Sequence, residues 1–217
     1  PQPKFLFLTL YPGKEEEFWL WVSSWALVIT KPSDLGYDDT GYILPPMEVR
    51  YHKLGLTQAE EEEKDGQFRL FRDAAAGLQE AAREKRESID ARIAKMAEIV
   101  SESPEDHFIL WHDLEAERHT IKQALPESVD TYGAMEYDER ERRVIAFADG
   151  ETRLFATKKS LSGQGCNFQR HCHREIFAGI DDKFNDFIQA IHRTYRFGQT
   201  QPVRVDVIYT ENEQRIL

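Results

Sequence analysis

At 217 residues, with 41% hydrophobic and 12% aromatic content, the chain can bury one good core and an appended piece, so it reads as one main domain. A formal net charge of -11 excludes a surface that is basic all over and confines any nucleic-acid contact to a local patch. Two cysteines, Cys166 and Cys172, are too few for a disulfide scaffold, and no signal peptide or long apolar span is evident, so the expected setting is reducing cytoplasm with no membrane partner.

In chain order, Phe5 to Tyr11 is apolar enough for a strand. Lys14 to Ile29 carries Phe18, Trp19, Trp21, Val22, Trp25 and Val28 at largely helical spacing, which predicts an amphipathic helix covering the edge of a core. Lys31-Pro32-Ser33-Asp34-Leu35-Gly36-Tyr37 and Ile43-Leu44-Pro45-Pro46 read as an extended linker, because proline fixes the backbone and removes a donor. Glu48 to Leu54 alternates charged and apolar residues, as an edge strand does. The run Glu60 to Glu63 is assigned no function. Ala74 to Ser101 is strongly helical in pattern, and Arg83, Lys85, Arg86 and Arg92, interleaved with glutamates, read as a salt-laced solvent face.

Beyond Pro104 strand and helix alternate. His107 to His112, Val129 to Tyr132, Arg153 to Thr157, Arg174 to Ala178 and Val203 to Tyr209 read as strands, with helices at Glu115 to Ala124, Tyr137 to Phe147 and Asp182 to Tyr195. That alternation predicts an α/β fold, a parallel sheet with helices on both faces, and places ligands at the carboxyl ends of the strands. After the first of these strands stand His112, Asp113 and Glu115, where Asp113 is expected to cap the helix. The loop Thr157 to Gln169 follows a strand end with Lys158 and Lys159 and contains Gly163 and Gly165, a composition suited to phosphate. Cys166, His171, Cys172, His173 and His192 lack the two separated ligand pairs of structural zinc. Gln189, Arg193 and Arg196 are spaced to share a helical face, and the planar guanidinium fork fits phosphate oxygens. The plainer reading is a solvated basic turn offsetting a helix dipole.

Gln189, Arg193 and Arg196, followed by Phe197-Gly198-Gln199, resemble motif VI of Swi/Snf-type helicases of superfamily two, in a variant familiar from bacterial and prophage proteins. The loop Thr157 to Gln169 resembles motif V, and His107 to Glu115 motif IV. Tyr132-Gly133 with Arg140, Val144 and Phe147 matches the glycine and arginine-bearing helix of the same family. The resemblance implies a RecA-like C-terminal lobe over residues 47–217 with a helical insertion at about 74–101, preceded over 1–46 by the end of lobe one and the interlobe linker. It also implies that Arg193 and Arg196 act on ATP and that Gln189, Gly163, Gly165 and Asn167 stand on the nucleotide side. Thr157, Lys158 and Lys159 then grip the DNA backbone, and Arg140 has a structural or interdomain role.

No Gly-x-x-x-x-Gly-Lys-Ser/Thr loop and no Asp-Glu-x-His motif is present, so ATP and Mg are expected on an N-terminal lobe. The Pro-Gln-Pro start reads as an excised piece, expected to be inactive alone. Two other readings stand beside this one: a non-catalytic nucleic-acid-binding or interaction module on an α/β sheet, and a stand-alone enzyme using His171, Cys172 and His173.

Overall fold

The computed structural model describes residues 11, 13–27, 29–55, 83, 85–162, 165–181 and 183–216. The strand expected from Phe5, the acidic run Glu60 to Glu63, the first part of the long helix from Ala74, and Gly163 lie outside the described residues. The chain divides into two compact units, Pro1–Tyr42 and Ile43–Leu217.

In the first unit, helix α1 (Glu15–Ser23) is shorter than its apolar pattern predicts. It ends where the Ser23 and Ser24 hydroxyls donate to the carbonyls of Leu20 and Trp21, a side-chain competition with the helical ladder. The expected burial of one face is corrected: no residue of α1 is buried, and Trp19, Trp21 and Trp25 are 62%, 59% and 65% exposed. The indoles of Trp21 and Trp25 meet edge to face at 5.2 Å instead. The linker is also less extended than predicted, because Pro32–Leu35 winds into a 3₁₀ turn. The Asp34 carboxylate fixes that turn by accepting from the amides of Thr30 (2.7 Å) and Lys31 (3.1 Å).

The second unit is built on a six-stranded, wholly parallel sheet. In chain order its elements are β1 (Met47–Lys53), α2 (Ile89–Ser101), β2 (His107–Trp111), α3 (Glu115–Ala124), β3 (Val129–Asp130), α4 (Tyr137–Ala148), β4 (Leu154–Thr157), α5 (Lys159–Ser162), β5 (Cys172–Phe177), α6 (Phe184–Ile191) and β6 (Val203–Tyr209). The strands lie in the order β1-β6-β5-β2-β4-β3, with β1 at the edge as its alternating pattern predicts. Side chains alternate between the faces of a strand. Phe108 and Leu110 of β2 therefore join Ile93, Met96 and Val100 of α2 and Ile121 of α3, while Ile109 and Trp111 join Phe147 of α4 and Ala190 and Ile191 of α6. Helices cover both faces, which explains why β2 and β4 read as continuous apolar runs.

The predicted solvent face of the long helix fails at its most basic point. Arg92 is fully buried, and its guanidinium donates to the carbonyl of Ala178 (2.7 Å) and the carboxylate of Glu213 (2.8 Å) while Nε reaches Ser88 Oγ (2.7 Å). It bolts the ends of β5 and β6 to α2. Gly179 makes room for this bolt: a Cβ there would stand 2.8 Å from an Arg92 guanidinium nitrogen. Arg83 keeps the expected exposed pairing, donating to Glu87 at 2.7 Å.

Candidate functional site

Two polar clusters flank α6, an eight-residue helix about 12 Å long. The first is a cleft of about 330 Å³ at the carboxyl ends of β2, β4 and β5, lined by Lys85, Asp113, Lys158, Lys159, Ser160, Asp181, Lys183 and Asp186. Lys159 is buried beneath it, and its ammonium group lies 3.3 Å from Asp113 and 3.1 Å from Asp181. Lys85 meets the other oxygen of Asp113 at 2.6 Å. Burial opposes ionisation of Asp113, yet Lys85 and Lys159 hold its carboxyl below the ordinary carboxylate range. The predicted capping role of Asp113 is corrected. The start of α3 is capped by Glu117, which accepts from the amides of Asp113 (2.8 Å) and Leu114 (2.9 Å), and Asp113 is thereby freed to ion-pair.

Lys158 stands at the rim, 2.6 Å from Glu115. The ammonium of Lys158, with Arg118 behind it, brings the Glu115 carboxyl down to about 2. Lys183 is exposed and makes no ion pair among the described residues. His112 is 2% exposed, and neither ring nitrogen has a hydrogen-bond partner of good geometry. Burial, reinforced by Lys158, pushes its imidazole down to about 4. Thr157 is fully buried, its hydroxyl bonded to those of Thr131 (2.7 Å) and Ser162 (3.0 Å). The expected grip of Thr157 on DNA is therefore corrected, since no atom of its side chain reaches the surface. Lys159 is likewise committed inward, which leaves half-buried Lys158, paired with Glu115, as the one of the three that reaches the surface.

The second cluster lies past the other end of α6. The helix stops at Ile191, so Arg193 and Arg196 stand on the turns that follow and not on a shared helical face. Tertiary bonds hold them in place of helical spacing. Arg193 donates from Nε to the Gln189 carbonyl (2.9 Å) and from the guanidinium tip to the Cys166 carbonyl (3.0 Å), while its own carbonyl accepts from the Phe168 amide (3.0 Å). Arg196 donates to Asn167 Oδ1. Gln169 donates to the Phe197 carbonyl at 3.2 Å. Gly198 follows at φ +86, a conformation glycine takes freely, and turns the chain into Gln199. The buried Gln199 amide clasps the carbonyls of Cys172 (3.0 Å) and Thr194 (3.1 Å). Burial, and then the neighbouring Arg196, lower the affinity of the Arg193 guanidinium for its proton.

The loop and turn that the spacing singled out thus meet: Asn167 with Arg196, Cys166 with Arg193. Gln189 and Gly165 lie exposed beside them. The structure separates this group from the lysines by the length of α6. Arg140 is half-buried over the Tyr137 ring at 5.7 Å, and Arg143 rather than Arg140 ties α4 to β3, through Asp130 at 2.8 Å. The histidines and cysteines do not converge, because neighbouring strand residues point to opposite faces. Cys172 is buried and donates to the His107 carbonyl, whereas His173 turns toward Asp106 at 3.6 Å. Burial pushes the thiols of Cys166 and Cys172 up. Among the described residues no three His, Cys, Asp or Glu side chains are grouped to hold a metal. Nor is any helix among them long and apolar enough to cross a membrane.

Sequence reasoning read Lys85 only as part of a solvent face, which its partly buried ion pair with Asp113 corrects, and passed over Asp181, Lys183, Glu175 and Thr194. Asp181 had a readable signal, a carboxylate just past a buried strand end. Glu175 had none, since its role depends on which face of β5 it takes.

No protein-family model and no curated protein matches the chain. Its fold is similar to that in the crystal structure of the C-terminal part of the Fun30 ATPase domain, with a TM-score of 0.52 and 16% identity over 58% of this chain and 43% of that one. The chain thus spans less than half the length of that protein chain. The fold is a RecA-like α/β lobe, a parallel sheet with helices on both faces.

Proposed function

We propose that this chain is the C-terminal lobe of an ATP-dependent DNA helicase or translocase of the Swi/Snf type, in its bacterial or prophage variant, with residues 1–46 as the end of lobe one and the linker and 47–217 as the lobe itself. The observation that carries this reading is the arginine turn: Arg193 and Arg196 sit together on a surface braced by the Cys166–Gln169 loop. ATP and Mg belong to an N-terminal lobe, against which Arg193 and Arg196 close to spread transition-state charge over the phosphates. Gln189, Gly165 and Asn167 stand on that nucleotide side. A finger of this kind is worth roughly a thousandfold or more in rate.

At the other end of α6, Lys158 at the rim, with Lys183 and Ser160 beside it, meets DNA phosphates without reading sequence. Lys159 and Thr157 serve the grip from beneath by holding the strand ends. Two clusters a helix apart, one toward nucleotide and one toward DNA, are what a motor needs to convert lobe closure into a step along the duplex. In a protein joining this lobe to an ATP-binding lobe, DNA-stimulated ATP hydrolysis is compared with that of Arg193→Ala and Arg196→Ala. Each substitution is expected to remove most of the rate while DNA binding persists. Hydrolysis unchanged in both would refute the reading.

A further inference from the structure

Glu175 is a carboxyl group fully buried in the middle of β5, on the face that carries Trp111 and α6. Trp111 Nε1 reaches one of its oxygens at 2.7 Å, and the other meets the hydroxyl of Thr194, the residue between Arg193 and Arg196. Thr194 Oγ1 in turn lies 3.4 Å from the Ile191 carbonyl at the last turn of α6. The set closes in either protonation state: an ionised Glu175 accepts from the Trp111 N–H and the Thr194 hydroxyl, while full burial without a counter-charge favours the neutral acid. In the neutral acid Trp111 N–H serves one oxygen, the acid's own O–H turns to Thr194, and the Thr194 hydroxyl turns to Ile191. An ionised carboxylate at this place has no ion-pair partner among the described residues. The elements packed against it present Ile109 and Trp111 from β2, Val205 from β6, Arg193 from the turn and Cys172 from its own strand. Among these the Arg193 guanidinium, committed to carbonyls, is the sole cation.

We propose that Glu175, as a neutral acid, is a positioning residue for the Arg193–Arg196 turn, acting through Thr194. The inference rests on the motor reading for its consequence in turnover, but the protonation state stands on the buried geometry alone. Burial pushes this carboxyl up to about 8. Above that pH the buried charge draws Thr194 and Arg193 toward itself, the hydroxyl leaves Ile191, and the guanidiniums shift off their seats. Below it the turn is held.

Two measurements test this. Infrared spectra of the chain at pH 7 should show the carbonyl band of a protonated carboxylic acid that Glu175→Gln lacks; absence of any such difference overturns the proposal whatever the protein does with ATP. In the two-lobe protein, Thr194→Val, which keeps the shape and removes the hydroxyl, should lower kcat about tenfold with the KM for ATP little changed. Glu175→Gln should retain kcat at neutral pH and lose the alkaline fall in rate that the wild type shows above about pH 8. If Arg196→Ala abolishes hydrolysis but Thr194→Val and Glu175→Gln leave kcat and its pH profile untouched, the positioning role is overturned and the motor reading stands. If Arg196→Ala also leaves hydrolysis intact, the motor reading itself has failed.

Discussion

Arg196 donates from its guanidinium to Oδ1 of Asn167, 29 residues earlier in the chain, so the loop after α5 holds the second arginine of the turn. Asn167 is exposed, so its bond to Arg196 adds little to stability. Asn167→Ala should leave the fold unaffected and free the guanidinium to wander. In the two-lobe protein, DNA-stimulated hydrolysis is expected to fall about tenfold, less than in Arg196→Ala, because orientation is lost and charge is kept. A rate equal to wild type in a steady-state assay would rule out the seat.

The buried Arg92 bolt gives a stability prediction. Arg92→Met leaves the Glu213 carboxylate, itself only 8% exposed, without its guanidinium. Breaking a buried pair from one side costs about 3–5 kcal/mol. Urea unfolding should show that loss, and Gly179→Ala should share part of it by pushing on the same guanidinium.

His112 sets a pH dependence. Its folded-state value of about 4 lies below its ordinary 6.5, so between these pH values the unfolded chain binds a proton that the folded chain refuses. Stability from this group is present above about 6.5 and lost as pH falls toward about 4. His112→Phe removes both the orphaned nitrogens and the titration. Thermal melts at pH 7 and pH 5 should show a smaller drop for the variant than for the wild type; equal drops would mean that the imidazole accepts its proton in place.

The lysine cleft divides by commitment. Lys158→Ala and Lys183→Ala should weaken DNA binding evenly across sequences and each lower the salt slope by about 1. Lys159→Ala should instead destabilise the fold, because Asp113 and Asp181 lose the cation between them. Fluorescence titrations over a range of salt, with unfolding curves beside them, separate the two effects.

The sheet was legible because its signals are local: strand-length apolar runs from Phe108, Phe155 and Val205 alternate with helical spacing, and two-sided burial follows from their lack of polar alternation. The site was legible as residue types and less so as geometry. Arg193 and Arg196 do meet the same loop, yet helical spacing suggested a shared face, and nothing in the sequence marks α6 as ending at Ile191. Thr157 and Arg92 were misplaced for one reason: polar residues are read as exposed by default, and burial is decided by partners distant in sequence, Thr131 for one and Glu213 for the other.

The parallel ladder between β1 and β6, the first and last strands of the sheet, pairs seven residues from Met47 with Val203 to Lys53 with Tyr209. Pro46 immediately precedes it and accepts from the Val203 amide at 3.0 Å. Tension arriving along the backbone at Pro46 and directed down the strand axis loads the whole ladder in shear, so its hydrogen bonds share the load and do not peel one after another. The sheet is therefore mechanically stiff at Pro46, and a pull delivered there moves the domain as a body before it unravels the edge.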